Sequence, residues 1–265
     1  MAAEKAGQGT RDVEKIVDDM TLFDDDLMSM VFDRNTEAAE LLLRIILKCD
    51  DIRVISVVGQ REFQSPVVGG RNIRLDILAE DSRGKHFNIE VQKRPEGAHI
   101  RRARFHSSMM DVRMLKAGQE FSELRDSYMV FITATDIFGH GLPIYTVSRR
   151  FEEIGDAFDD GSHIVYVNGS YSGNDAIGKL MHDFGCRESK DICYPELAKG
   201  VKHFKEEGGR RIMCEAVEKY ADKKALDKQI EMIKNLMESM KWTAEQAMSA
   251  MQISDKDKNV LLKRL

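Results

Sequence analysis

Two carboxylates interrupt apolar runs in the first hundred residues: Asp76 within Ile73-Arg74-Leu75-Asp76-Ile77-Leu78, and Glu90 within Phe87-Asn88-Ile89-Glu90-Val91-Gln92-Lys93. A polar stretch, Glu80-Asp81-Ser82-Arg83-Gly84-Lys85, joins the two runs and reads as the turn of a hairpin. Strand side chains alternate faces, so Glu90 and Gln92 project to one side while Ile89, Val91 and Lys93 project to the other. Asp76, on the preceding strand, brings a second carboxylate to the same point if the register allows it. Clustered carboxylates suit a hard divalent cation, Mg²⁺ or Mn²⁺, that keeps waters and phosphate oxygens in its remaining positions. A phosphodiester is the matching substrate. Acids on a hairpin are otherwise solvated and inert, but an acid flanked by buried apolar neighbours has to be paired or bind metal.

The surrounding elements follow from pattern. Asn35 caps a helix running through Leu47, dense in leucine and isoleucine and carrying Glu40. Residues 52–60 alternate as a strand, and Gly69-Gly70 after Pro66 turns the chain into the Asp76 strand. Residues 100–115 form a helix with a basic face, and Tyr128-Met129-Val130-Phe131-Ile132-Thr133 a buried strand. Two more strands are expected over 142–147 and 163–168, with Pro143 marking an edge. After Pro195 the composition turns helical, with a long Lys- and Met-rich stretch over 211–240, then helices capped by Thr243 and Ser254. The expected organisation is a mobile acidic segment at 1–20, an α/β domain at 21–195 and a helical region at 196–265. Methionines in the last region fill an ordinary core or face a partner, such as a second copy of the chain.

A chain of 265 residues, 42% apolar and 32% charged, has the composition of a globular protein. No run approaches the ~20 apolar residues of a membrane span, and the start lacks a signal-peptide core, so a cytoplasmic location is expected. Cys49, Cys186, Cys193 and Cys214 show no C-x-x-C spacing, which argues against a disulfide framework. His182 and Cys186 can share a helix face with Cys193 following, but the spacing fits no common zinc class and no zinc site is assigned. The net charge of −5 belongs to residues 1–26, so the rest of the chain is balanced. Within that remainder, residues 93–116 carry seven basic and two acidic side chains, a local +5 directly after the acids. Such a segment suits a phosphate backbone; its plainer meaning is a solvated helix face.

The order of a helix with Glu40, a strand with Asp76, a strand with Glu90-Val91-Gln92-Lys93, a basic helix and a buried strand resembles the core of the PD-(D/E)XK nuclease superfamily. More closely, Glu40 to Leu47, Gly70-Arg71 through Ile77, Asn88 to Gln92, Arg102-Ala103-Arg104 and Gly141 to Tyr145 resemble the bacterial PD-(D/E)XK family transposases, the recombination-promoting nuclease group. The resemblance spans roughly residues 24–220. It implies a restriction-endonuclease-like α/β fold with a mixed sheet and a C-terminal helical extension. It also implies a Mg²⁺- or Mn²⁺-dependent DNA endonuclease, with Asp76 and Glu90 as metal ligands and Glu40 completing or supporting the shell. Gln92 stands where the superfamily most often has lysine, and Lys93 could substitute for it in catalysis only through a bulge or by reaching around the strand. Arg101, Arg102, Arg104 and His106 would clamp DNA, with Gln60 and Arg74 lining the same cleft. The alternative is a catalytically degenerate DNA-binding or protein-interaction module that keeps the nuclease fold.

Overall fold

The computed structural model describes residues 12–262 and 264–265. Most of expected segment 1–20 lies outside these, but residues 12–19 are helical and Val17 is fully buried. In chain order the elements are α1 (Asp25–Phe32), α2 (Thr36–Leu47), β1 (Val54–Phe63), β2 (Ile73–Asp81), β3 (His86–Gln92), α3 (Ile100–Met114), β4 (Ser127–Thr133), β5 (Ile144–Val147), β6 (Ser162–Asn168), α4 (Ala176–Gly185), α5 (Pro195–Glu206), α6 (Arg210–Met240), α7 (Ala244–Ala250) and α8 (Asp255–Leu262). α1 was not foreseen. It is short, and its apolar residues Leu27, Met28, Val31 and Phe32 follow an acidic run that reads as surface.

The strands form one mixed sheet in the order β1-β2-β3-β4-β6-β5. β1, β2 and β3 are a meander of antiparallel pairs, whereas β3–β4 and β4–β6 are parallel. β4 is buried from Met129 to Thr133, as the continuous apolar run demanded. β5 lies at an edge, paired only with β6, in keeping with Pro143 just before it. Register across the parallel strands is pinned by aromatic ladders. Phe87, Tyr128 and His163 are direct cross-strand partners whose rings stack at 4.9 and 4.3 Å, and Phe131 stacks on its partner Tyr166 at 5.3 Å.

α3 buries Met109 and Met110 against Ile73 and Leu75, and Ala103 among Met129, Phe131 and Tyr166. α2 is capped as expected, Asn35 Oδ1 accepting the Ala38 N–H at 3.1 Å. α5 packs on α1 so closely that a Cβ on Gly200 would lie 2.7 Å from Val31 Cγ1. Its residues Leu197 and Val201 are buried there. For this reason the α/β unit runs from Glu14 to Met213, past the compositional change near 195, and a second unit begins at Cys214. In that second unit Ile233, Ala247, Met248 and Leu261 form a small core, with Met237, Trp242 and Met251 packed around it. Among the described residues no helix is long and apolar enough to cross a membrane.

Candidate active site

The β2–β3 ladder ends at the pair Ile77↔Ile89, and the same register carried one step further sets Asp76 opposite Glu90. Backbone pairing is replaced there by a side chain: Asp76 Oδ2 accepts the Val91 N–H at 3.1 Å. Both acids are buried, Asp76 at 5% exposure and Glu90 at 0%. Burial, then the negative charges of Glu90 and Asp25, push the Asp76 carboxyl up to about 8, against the pull of the Val91 N–H and Arg102.

Glu90 is held from two sides. Its Oε1 accepts from Asn88 Nδ2 at 2.9 Å, and its Oε2 from Arg102 Nη2 at 2.8 Å. His106 Nδ1 lies 3.5 Å from Oε1. Arg102 also donates through Nη1 to the Gly97 carbonyl at 3.0 Å and toward Gln92 Oε1 at 3.4 Å. A Cβ on Gly97 would sit 1.8 Å from Gln92 Oε1, so the missing side chain there is what leaves room for the Gln92 amide. Two buried polar atoms beside Glu90, Asn88 Oδ1 and His106 Nδ1, have no hydrogen-bond partner among the described residues.

Asp76, Gln92, Arg102 and His106 open onto a polar cleft of about 340 Å³ that Asp25 and Arg71 to Arg74 also line, whereas Glu90 and Asn88 do not line it. Asp25, in the first turn of α1, is the residue that the sequence did not single out. Asp25 is exposed on one side, but partial desolvation against the cleft, with Asp26 and Glu90 nearby, raises its carboxyl despite the Arg74 guanidinium. The signal available for it was the Asp24-Asp25-Asp26 run directly before the apolar residues of α1, which merged with the acidic character of the leading segment.

Several expected site residues lie elsewhere. Glu40 does not reach the cleft: its Oε2 accepts the Val54 N–H at 3.0 Å at the start of β1, and its Oε1 pairs with Arg44 at 2.6 Å. Lys93, just past the end of β3, does not line the cleft and pairs with Asp24 Oδ1 at 2.7 Å beside the start of α1. Arg102 and His106 are not on a free basic face, because both turn inward to Glu90; Arg101 and Arg104 are exposed. Arg74 lines the cleft as expected. Gln60 faces α1, with Nε2 donating to Ser29 Oγ at 3.1 Å. It occupies the register position opposite Asp76, between the pairs Gly59↔Ile77 and Arg61↔Leu75, with a left-handed backbone at φ 50°. That conformation is costly for a residue with a Cβ, and such residues cluster at functional sites. Asp25, Asp76 and Glu90 do not form a set within 4.8 Å; among the described residues the group that meets this limit is His182, Asp183 and Cys186.

A mixed sheet with an aspartate on one central strand, a Glu-x-Gln on the next, and a helix returning a guanidinium to that glutamate has the PD-(D/E)XK nuclease architecture. Residues 32–168 match the model of the PD-(D/E)XK nuclease family transposases, and the chain belongs to this family. Nucleases of this kind generally use divalent metal ions; the cleft offers the carboxylates of Asp76 and Asp25 and the Gln92 amide, set among Arg71, Arg74 and Arg102. No curated protein and no solved structure matches the chain.

Proposed function

We propose that the chain is a divalent-metal-dependent DNA endonuclease that hydrolyses phosphodiester bonds, with Asp76, Glu90 and Gln92 at its centre. The observation that carries this reading is the meeting, around one polar cleft, of buried Asp76, the Gln92 amide and the Arg102 guanidinium that holds Glu90. The donor set fits Mg²⁺ or Mn²⁺: carboxylate and amide oxygens are hard ligands, and buried Asp76, whose carboxyl is raised first by burial and then by the negative charges of Glu90 and Asp25, would be stabilised in its ionised form by a cation. Asp76 and Glu90 would hold the ion, and Asp25 would support it from α1. Bound there, the ion supplies Lewis acidity toward a phosphate oxygen and eases deprotonation of water.

The protein's own groups do the rest. Gln92, fixed by the space above Gly97, presents an amide that can orient water at the scissile phosphate. Arg102, a fixed cation 3.4 Å from Gln92 Oε1 and bonded to Glu90, positions that amide and that carboxylate. Its bonds to the Gly97 carbonyl and Glu90 pre-organise it for that task. Arg101 and Arg104, exposed on α3, would contact the DNA backbone. Arg74, which lines the cleft, would do the same. The second reading, a non-cleaving DNA-binding module, is favoured by one observation: both Glu90 oxygens already have protein donors, Asn88 and Arg102.

Incubation of supercoiled plasmid with Mg²⁺ or Mn²⁺ separates the two. Nicking that is abolished by EDTA and by Asp76→Ala supports the nuclease. DNA binding without cleavage in either metal establishes the degenerate module.

A further inference from the structure

Away from the cleft, the turn that follows α4 gathers the side chains that the sequence spacing left unassigned. Cys186 Sγ lies 3.6 Å from His182 Nδ1, Cys193 Sγ lies 3.9 Å from the same nitrogen, and Asp183 Oδ1 lies 3.2 Å from it. The ligand atoms of His182, Asp183 and Cys186 all fall within 4.8 Å of one another. In a tetrahedral zinc site with ordinary bond lengths, the nitrogen–sulfur edge is about 3.6 Å and the nitrogen–oxygen edge about 3.4 Å. The edges from His182 Nδ1 to Cys186 and Asp183 therefore match a zinc tetrahedron to within a few tenths of an ångström, whereas Cys193, near His182 but outside the three-residue set, has to turn its exposed side chain inward to close the fourth position.

The backbone explains how a set of unusual spacing converges. α4 ends at Gly185, which places His182 and Cys186 one helical turn apart on one side. Asp183 is fully buried and accepts the Cys193 N–H at 2.7 Å and the Tyr194 N–H at 2.8 Å, which folds residues 187–193 back over the helix end. Cys193 is thereby returned to His182 across eleven residues of chain. The His182 side chain is 56% exposed and Cys193 is at the surface, so a metal ion can enter from solvent.

We propose that His182, Asp183, Cys186 and Cys193 bind Zn²⁺ and that the ion locks the α4–α5 connection. Mixed nitrogen, sulfur and carboxylate donors select zinc over Mg²⁺ or Mn²⁺, which suit all-oxygen sites, so the two metals are separated by ligand chemistry. The site is independent of the nuclease reading, because none of its residues lines the cleft.

Cobalt spectroscopy on the full-length protein in the Asp76→Ala background tests the assignment. One equivalent of Co²⁺ should give the visible bands of a tetrahedral ion together with thiolate-to-metal charge transfer, and Zn²⁺ should bleach both. Cys186→Ser and Cys193→Ser should each remove about half of the charge-transfer intensity, and these and His182→Ala should weaken binding at least about tenfold. Absence of charge transfer in the parent protein, or its survival in the double serine variant, overturns the proposal. Alkylation followed by mass spectrometry reads the unmodified thiols directly: Zn²⁺ should protect Cys186 and Cys193 and leave Cys49 reactive. Unchanged labelling of Cys186 and Cys193 is equally fatal.

Discussion

Arg102 Nη2 donates to Glu90 Oε2 at 2.8 Å, and Glu90 has no exposed surface. A buried carboxylate whose cationic partner is removed keeps its desolvation cost, so Arg102→Ala should destabilise the fold by about 2–3 kcal/mol, a value held down because Arg102 is itself one-third exposed. Arg102→Ala combined with Glu90→Gln should recover most of that stability. Urea denaturation of the four members of the cycle measures the coupling, and strict additivity would show that the pair contributes nothing.

The metal-free protein should become less stable as pH rises from about 4 to about 8. The Asp76 carboxyl sits at about 8 in the folded chain and near 3.8 in the unfolded one, so between those values the native state holds the extra proton. Its contribution is complete below the lower value and lost as pH passes the upper one, with a span on the order of a few kcal/mol. Asp76→Asn should flatten this part of the profile. Thermal melts of the two proteins in EDTA across that range decide it; parallel slopes would mean that Asp76 ionises freely.

Gly97→Ala should damage catalysis more than stability. The added methyl would fall 1.8 Å from Gln92 Oε1 and force the amide out of its place. Plasmid nicking should drop about tenfold or more, close to the effect of Gln92→Ala, with a far-UV spectrum like that of the parent. Full activity in Gly97→Ala would remove Gln92 from the proposed machinery.

Two residues that motif order favours should be nearly silent in catalysis. Lys93 is 62% exposed where it pairs with Asp24, so Lys93→Ala should cost under about 1 kcal/mol and leave nicking intact. Glu40→Ala should lower stability by about 1–2 kcal/mol, because the Val54 N–H and the Arg44 guanidinium would both be left without their carboxylate, and it should not change the metal dependence of cleavage. A raised Mg²⁺ requirement in Glu40→Ala would return this residue to the site.

The contrast between Glu40 and Asp25 shows where the sequence was readable. Helix α2, strands β2 to β4, β6 and the acids on β2 and β3 announce themselves through period and interrupted apolar runs, because a charge among buried neighbours is conspicuous. The contribution of α1 depends on chain geometry: Asp25 lines the cleft on a helix whose other side is packed by α5 at Val31, a placement that no period in the sequence encodes. The inward turn of Arg102 and His106 is of the same kind. Net charge along a helix counts its basic residues without saying which face the core takes, and here the buried face includes Ala103, His106 and Met110. The convergence of Cys193 on His182 is still less visible, since it depends on the buried Asp183 carboxylate holding two backbone N–H groups of a distant turn.

That sorting of α3 changes what a charge-removal experiment should report. Arg101 and Arg104 are exposed, while Arg102 is committed to Glu90 and Gly97, so two of the three arginines remain to face phosphate. Arg101→Ala with Arg104→Ala should weaken duplex DNA binding and reduce the slope of log K against log salt by about 0.9 for each phosphate no longer neutralised. The affinity should fall on any DNA sequence, because phosphate contacts carry no base information. Arg102→Ala alone should leave the slope unchanged and act on stability and cleavage. Fluorescence anisotropy over a salt series, in EDTA so that no cleavage intervenes, measures both. A slope unaltered in the Arg101/Arg104 double variant would make α3 a solvated face, and a reduced slope in Arg102→Ala would place that guanidinium on the DNA after all.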